Sequence, residues 1–533
     1  MGCKPNIVVI LCDDLGYSDI GCYGGEIDTP NIDSLARDGV RFTDFYSTPR
    51  CAPSRASLLT GLHPHQAGIG ILTYNDGPLG YPGALKDDCT TIAQQLRQEG
   101  YGTYISGKWH LTNDTKNPNP NWPLNRGFDR HFGTLAGSCS YYNPHTLMVD
   151  NKNVESKNLD SDFYYTDAIT DHAVSFLSEH VEQKPDDPLF LYLAYTAPHW
   201  PLQAPESVIQ KYKGRFDAGW DKLREQRFQR LKKLGIADSN WTLSPRDPEI
   251  PSWEEVEDKE WYLRCMEVYA AQVEVMDQGV GRVLQMLEDL KIRDNTFIVF
   301  LSDNGGCNEY IKAHPEPGAP IIPKPFTRTE EKIIVGNHHD VMPGPENTFQ
   351  TYTHWANLSN TPFRLYKTWG HEGGISTPCI MQWGDNIRRK GSIIRHPGQL
   401  TDLAATILDI AGLDSDQANS SRTLPLEGTS LTPLLQDKEI EDHVLCWEHQ
   451  GNAAIRYNQW KAVMSYPDAW ELYNIENDRS ESDNLAEKHQ DILYQLVMLY
   501  TQWADRCNVI PRERILRIPG RTTIHNEYCG WMI

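Results

Sequence analysis

The run Asn6-Ile-Val-Val-Ile-Leu-Cys-Asp13-Asp14 decides how the rest of the chain is read. Six apolar residues, mostly β-branched, follow one another without polar alternation, and two carboxylates close the run. A strand with one wet face alternates; a strand buried on both faces, as in a parallel sheet, does not. Three later stretches repeat the plan. Residues 101–107 end on Lys108-Trp-His110, residues 188–198 on His199-Trp200, and residues 297–302 on Asp303-Asn304-Gly-Gly. Helical segments fall between them, one over residues 90–99 and a longer one from Ser252 to about Leu290, opened by the capping box Ser252-Trp-Glu-Glu255. This alternation predicts an α/β fold with a large, doubly wound, mostly parallel sheet flanked by helices. In such sheets functional groups gather beyond the carboxyl ends of the strands. Asp13, Asp14, Lys108, His110, His199, Asp303 and Asn304 are therefore expected in one cleft.

The bulk properties narrow the function. The chain has 533 residues and a net charge of -22, which argues against general nucleic-acid binding. An anionic substrate would need a local basic pocket instead. The twelve cysteines contain no C-x-x-C pair, so zinc ribbons and dithiol redox motifs are not expected. No apolar run reaches the length of a membrane span. The first residues, Met1-Gly-Cys-Lys-Pro-Asn6, carry neither a signal-peptide apolar region nor a myristoylation pattern. Residues 200–251 read as a charged, solvated helical flank, and residues 307–362 as an irregular segment rich in Pro, Gly, Asn and His. The end of the chain reads as short antiparallel strands (443–449, 453–458, 460–465 and 469–474) followed by a helix over about 483–504. The expected division is a catalytic domain over 1–437 and a smaller α+β domain over 438–533.

Two polar clusters carry the chemistry. Asp13-Asp14 and Asp303-Asn304 offer an all-oxygen ligand set, which favours calcium or magnesium over zinc. Each pair alone could merely cap a helix, but four such groups side by side would repel without a cation. Lys108, His110, His199 and Lys367, with Arg55, could neutralise a tetrahedral anion and supply a proton donor and acceptor.

Cys51-Ala-Pro53-Ser-Arg55 opens a short helix that Gly61 closes, which puts Cys51 at a helix N-terminus with Arg55 on the same face. One reading is a low-pKa thiolate nucleophile, the other an inert buried cysteine. A thiolate fits poorly beside a hard, oxygen-liganded metal. From the residues alone this mismatch stays open.

Cys51-x-Pro-Ser-Arg55 followed by Leu58-Leu-Thr-Gly61 resembles the signature of the type I sulfatases. Asp13-Asp14-Leu-Gly, Gly107-Lys108-Trp-His110, Ala197-Pro-His199-Trp, Ser302-Asp303-Asn304-Gly and Lys367 before Glu372-Gly-Gly agree in order, and the likeness is strongest to bacterial arylsulfatases. The resemblance implies an alkaline-phosphatase-like fold and hydrolysis of sulfate monoesters of phenols or carbohydrates. It implies that Cys51 is oxidised to Cα-formylglycine by a formylglycine-generating enzyme, turning the nucleophile into an oxygen. It further implies Ca2+ held by Asp13, Asp14, Asp303, Asn304 and modified Cys51, with Arg55, Lys108, His110, His199 and Lys367 around the sulfate. His371 reads equally as a substrate contact or a structural loop histidine, and the loop aromatics Trp122, Tyr141, Tyr142, Trp200, Trp355 and Trp369 fit an aryl sulfate and a sulfated sugar alike. An enzymatic rival is a phosphonate monoester or phosphodiester hydrolase of the same superfamily, against which Lys108 and His110 count. A rival of another class is a silent sulfate-binding protein. Family habit implies the periplasm or exterior, while the missing signal leaves the cytoplasm open.

Overall fold

A computed structural model describes residues 4–155, 158–311, 333–420 and 422–518. Its centre is a ten-stranded sheet in which Asn6–Asp13 lies between Thr296–Ser302 and Leu189–Pro198, followed by Gly102–Gly107 and Arg130–Thr134. These five run parallel, so their carboxyl ends share one edge. The sheet is mixed at its flanks, where Cys379–Gln382 pairs antiparallel with Thr296–Ser302.

The uninterrupted apolar run finds its explanation in two cores. Val8, Ile10 and Cys12 face one core, shared with Ile169 and Val268 of the helices Tyr165–Gln183 and Lys259–Asp289. Ile7, Val9 and Leu11 face the other, shared with the helices Cys51–Thr60, Ile92–Gln98 and Leu400–Ile410. Each such side chain contributes roughly 1.5–3 kcal/mol on full burial, so the apolar run is favoured on both faces of this strand. No helix of the described residues is long and apolar enough to cross a membrane.

The last part of the chain forms a four-stranded antiparallel sheet: Leu445–His449, Asn452–Tyr457, Trp460–Met464 and Glu471–Asn474, in sequence order. One face packs on the helix Gln490–Arg506. The other packs on Tyr46 and Ile375 of the large unit.

Three local expectations change. The Ser252 box caps only the one-turn Trp253–Glu255, because Val256 is extended (ψ 126°), and the long helix starts at Lys259. The last helix starts at Gln490, because the Asp478 carboxylate accepts the amides of Ser482 and Asp483 and holds that stretch in a turn. The region 200–251 is no solvated flank. Its helix Gly219–Lys233 buries Trp220, Leu223 and Leu231, and fully buried Arg227 pairs with Asp19 at 2.8 Å and with Glu26. Of the irregular segment 307–362, residues 312–332 lie outside the described residues; beyond them Ile334–Val335 and Thr348–Phe349 pair as short parallel strands.

Candidate active site

At the shared strand edge, Asp13 ends the central strand and Asp14 follows in left-handed backbone (φ 66°). His110 also turns left-handed (φ 54°). Such backbone costs an L-residue about 1–2 kcal/mol. Both turns are held: Asp14 N donates to Asp303 Oδ1 (3.3 Å) and His110 N to Leu135 O (3.2 Å). Gly107 (φ 120°) admits the Lys108 turn, since a Cβ there would lie 1.9 Å from Ala194 O.

Charge is interleaved tightly. Arg55 Nη2 donates to Asp303 Oδ2 (2.8 Å) and Asp13 Oδ2 (3.3 Å), and its Nη1 to Lys108 O (2.9 Å). The Lys108 ammonium meets the Asp13 carboxylate, and Lys367 Nζ meets Asp14 Oδ2 at 2.9 Å. Asn304 Nδ2 donates to Asp14 Oδ1 (2.7 Å). His199 Nδ1 lies 2.7 Å from Trp200 O; a carbonyl only accepts, so Nδ1 carries a proton. His199 Nε2 then faces Lys367 Nζ (3.4 Å) and Asp14 Oδ2 (3.4 Å).

Cys51 is the first residue of its helix, buried, with Sγ 3.5 Å from His110 Nδ1. Burial pushes its thiol up, and Lys108 and Lys367 only partly oppose this. The thiol is thus protonated at neutral pH and a poor nucleophile. Burial, with Lys108 and Arg55, pushes His110 well below the usual histidine range, leaving a neutral base. His199 is lowered chiefly by burial, against Asp14. For Asp13, burial is outweighed by Lys108, His199 and Arg55, which keep it ionised; burial and the charge of Asp13 push Asp303 up to about 7.

These residues fit a hard divalent cation. Asp13 Oδ1 and Asn304 Oδ1 are buried without a hydrogen-bond partner, and crowded carboxylates of the kind that raises Asp303 are what such an ion relieves. Asp13, Asp14 and His199 bring ligand atoms within 4.8 Å of one another. A cation on His199 Nε2 would abut the Lys367 ammonium, so the oxygens are the better donors.

Ten of the residues singled out from sequence thus meet here: Asp13, Asp14, Cys51, Arg55, Lys108, His110, His199, Asp303, Asn304 and Lys367. His371 points elsewhere; it is fully buried with Nε2 3.2 Å from Glu471 in the small sheet. Among the aromatics, Trp355 is packed inside a cluster with Trp220 and Trp253, and Trp122 is buried with its indole on Asp114 O, so neither lines a mouth. Sequence reasoning missed Arg50 and Glu309. Arg50 Nη1 pairs with Glu309 Oε1 at 2.8 Å, and Glu309 Oε2 accepts the Trp200 indole N–H (2.8 Å). Glu309 lies in the irregular segment, where no periodicity marks it.

Comparison with known proteins gives the family. The Sulfatase family profile matches residues 5–413, and the profile for the C-terminal part of N-sulphoglucosamine sulphohydrolase matches residues 363–502. An uncharacterized sulfatase of Schizosaccharomyces pombe is 33% identical, over 95% of this chain and 94% of its own length. An arylsulfatase of Klebsiella aerogenes is 34% identical, over 81% of this chain and 92% of its own. The crystal structure of Ps i-CgsB, also solved in complex with k-i-k-neocarrahexaose, superposes with a TM-score of 0.67 at 28% identity, covering 95% of this chain and 94% of that one. With a match across most of its length and relatives above 30% identity, the chain belongs to the sulfatase family as a type I enzyme, a sulfuric ester hydrolase.

Proposed function

We propose that the protein cleaves sulfate monoesters of phenols or carbohydrates to the alcohol and inorganic sulfate, using a formylglycine made from Cys51 and a Ca2+ ion at Asp13, Asp14, Asp303 and Asn304. The observation that carries this reading is the pairing of a protonated, buried thiol at a helix N-terminus with two orphaned buried oxygens, Asp13 Oδ1 and Asn304 Oδ1. A thiol is the wrong nucleophile there; an oxygen at position 51 is the right one.

When present, hydrated formylglycine supplies two hydroxyls on one carbon, and Ca2+ supplies a fixed double charge against the sulfate. The chain's own residues do the rest. Arg55, Lys108 and Lys367 gather positive charge where the sulfate oxygens would lie, in a buried site where such charge acts strongly. Asp303 accepts a proton from position 51 at its carboxylate. His199, oriented by its Nδ1–H bond to Trp200 O, gives the Nε2 proton to the departing oxygen. Burial, with the charges of Lys367 and Lys108, disfavours that proton, and the negative charge of a bound sulfate ester favours it. Lys367, whose charge is secured by Asp14 and Glu309 against the effect of burial, steadies the same oxygen. His110 Nδ1, neutral and next to position 51, takes up a proton as sulfate leaves. Residues 1–437 would carry this chemistry, and the unit from 438 would brace them through its packing on Tyr46 and Ile375. The arylsulfatase relative motivates aryl sulfates as substrates, and the matching profile of N-sulphoglucosamine sulphohydrolase motivates sulfated sugars.

The test is mass spectrometry of the peptide containing position 51, with turnover of 4-nitrophenyl sulfate, sulfated mono- and disaccharides and 4-nitrophenyl phosphonate esters measured in parallel. The aldehyde and activity on sulfates should rise together. Full activity from a chain bearing only the unmodified thiol would overturn the reading, and preference for the phosphonate would reassign the substrate.

A further inference from the structure

A second group of ligand-type side chains lies outside the acidic cleft. His63 follows the Gly61 that ends the Cys51–Thr60 helix, Glu427 lies in the loop after residue 421, and Cys507 caps the end of the Gln490–Arg506 helix. Their ligand atoms all fall within 4.8 Å of one another. We infer that His63, Glu427 and Cys507 form a Zn2+ site that ties the end of the C-terminal helix to the catalytic unit.

The spacing points to a shared ion. His63 Nε2 and Glu427 Oε2 face each other at 3.8 Å, too far for a hydrogen bond. Two ligands on one tetrahedral zinc, with bonds of roughly 2.0–2.2 Å, sit about 3.4 Å apart. A small rotamer adjustment closes the difference. The Glu427 carboxylate is already aimed: its Oε1 accepts from Gln66 Nε2 (2.7 Å) and Arg506 Nη1 (2.5 Å), which leaves Oε2 turned to the imidazole. Outer partners of this kind orient metal ligands. The Cys507 thiol is fully buried and free of any disulfide, and the His63 ring is buried beside Trp503. Burial keeps that imidazole neutral, its ligating form.

A nitrogen, a sulfur and one carboxylate oxygen select a borderline-soft ion and not the calcium expected at the oxygen cluster. On binding, the S–H bond breaks, the proton leaves to solvent and a Zn–S bond forms. The thiolate and the inner carboxylate oxygen face the charge of the ion, Arg506 stays paired with the outer carboxylate oxygen, and a water completes the tetrahedron. The role assigned is structural, and it is independent of the catalytic reading above.

The experiment uses the full chain, stripped with chelator, supplied with excess Ca2+ and titrated with Co2+ as the spectroscopic stand-in for Zn2+. Expected are one equivalent with tetrahedral visible bands and a thiolate-to-cobalt charge-transfer band, displaced by Zn2+. Cys507→Ser should abolish the charge-transfer band, whereas Cys51→Ala should keep it. Gln66→Ala should weaken binding on the order of tenfold. Zn2+ should raise the unfolding midpoint of the wild-type chain and not of the Cys507→Ser chain. Absence of the band from the wild-type chain, its persistence in Cys507→Ser or its loss in Cys51→Ala would each overturn the site. Should Cys507→Ser not fold, His63→Gln decides in its place: unchanged affinity for Co2+ overturns the site, and loss of tight binding sustains it.

Discussion

Lys461 and Glu372 form an ion pair of 2.8 Å in which neither side chain reaches solvent. Lys461 comes from the small sheet and Glu372 from the turn just after Lys367, so the pair crosses between the two units. It sits in a balanced network: Lys461 also meets Glu481 (2.8 Å), and Arg479 bridges Glu372 (2.9 Å) and Asp44 (3.1 Å), which Arg456 also holds (2.8 Å). Three cations face three carboxylates. Removing one cation leaves buried negative charge uncompensated, which typically costs about 3–5 kcal/mol. Lys461→Met should therefore lower the urea midpoint by that equivalent, with catalytic parameters altered far less than stability. A midpoint within error of wild type would mean the network relaxes freely.

Acid should loosen the same junction. Burial raises the Glu471 carboxyl, but the His371 hydrogen bond and charge, with Tyr473 and Arg364, bring it down to about 2. A folded-state value depressed below the unfolded one, about 4.3, gives stability that is fully present above pH ~4.3 and is lost as pH falls toward 2. Glu471→Gln should lower stability at pH 7 and flatten its decline between pH 5 and 3. Unfolding midpoints measured across that range in wild type and variant test this; parallel curves would remove Glu471 from the acid response. His371, read from sequence as a candidate substrate contact, acts in this account as a partner of Glu471.

Glu309 should matter for catalysis through Trp200. Its carboxylate fixes the Trp200 indole, the main-chain carbonyl of the same residue orients His199 Nδ1, and Arg50 on its other side precedes Cys51 directly. Glu309→Leu removes both anchors. A displacement of the order of 1 Å at a positioned group can cost about 10²-fold in rate, so kcat should fall by up to about that factor with KM little changed. Glu309→Gln retains an acceptor for the indole and should lose less. Steady-state kinetics with circular dichroism as a folding control distinguish this from simple destabilisation; equal kcat losses in both variants would argue that charge and not orientation matters.

The contrast between these groups and the ten clustered residues explains what sequence could convey. A strand buried on both faces cannot alternate, so Asn6–Asp13 and its three counterparts were visible, and parallel topology then placed Asp13, Lys108, His199 and Asp303 at one edge. Arg50 and Glu309 take their meaning from a contact between distant parts of the chain, and neither carries a local pattern. Arg227 misled for a related reason: a charged helix looks solvated until its partners Asp19 and Glu26, far upstream, are known. Ser252 did form its capping box, but one extended residue, Val256, confined it to a single turn.

The oxygen cluster gives the last prediction, with a readout separate from activity. Asp13 Oδ1 and Asn304 Oδ1 are buried without partners, and each such atom costs about 1–3 kcal/mol when left unsatisfied. A bound calcium ion would satisfy both and relieve the repulsion that raises Asp303. Adding Ca2+ to chelator-treated protein should therefore raise the unfolding midpoint, by an amount that grows with the logarithm of free Ca2+ once the site is filled. Asn304→Leu should weaken calorimetric Ca2+ binding while leaving a folded chain, because it deletes one orphaned acceptor together with the amide that holds Asp14. Lys108→Ala should cost on the order of 10²–10³ in turnover, as loss of an oxyanion donor does, without abolishing Ca2+ binding, since it removes positive charge from beside Asp13. The two variants thus separate holding the ion from holding the sulfate. Equal loss of Ca2+ binding in both would mean that Lys108 organises the carboxylates and does not serve the substrate.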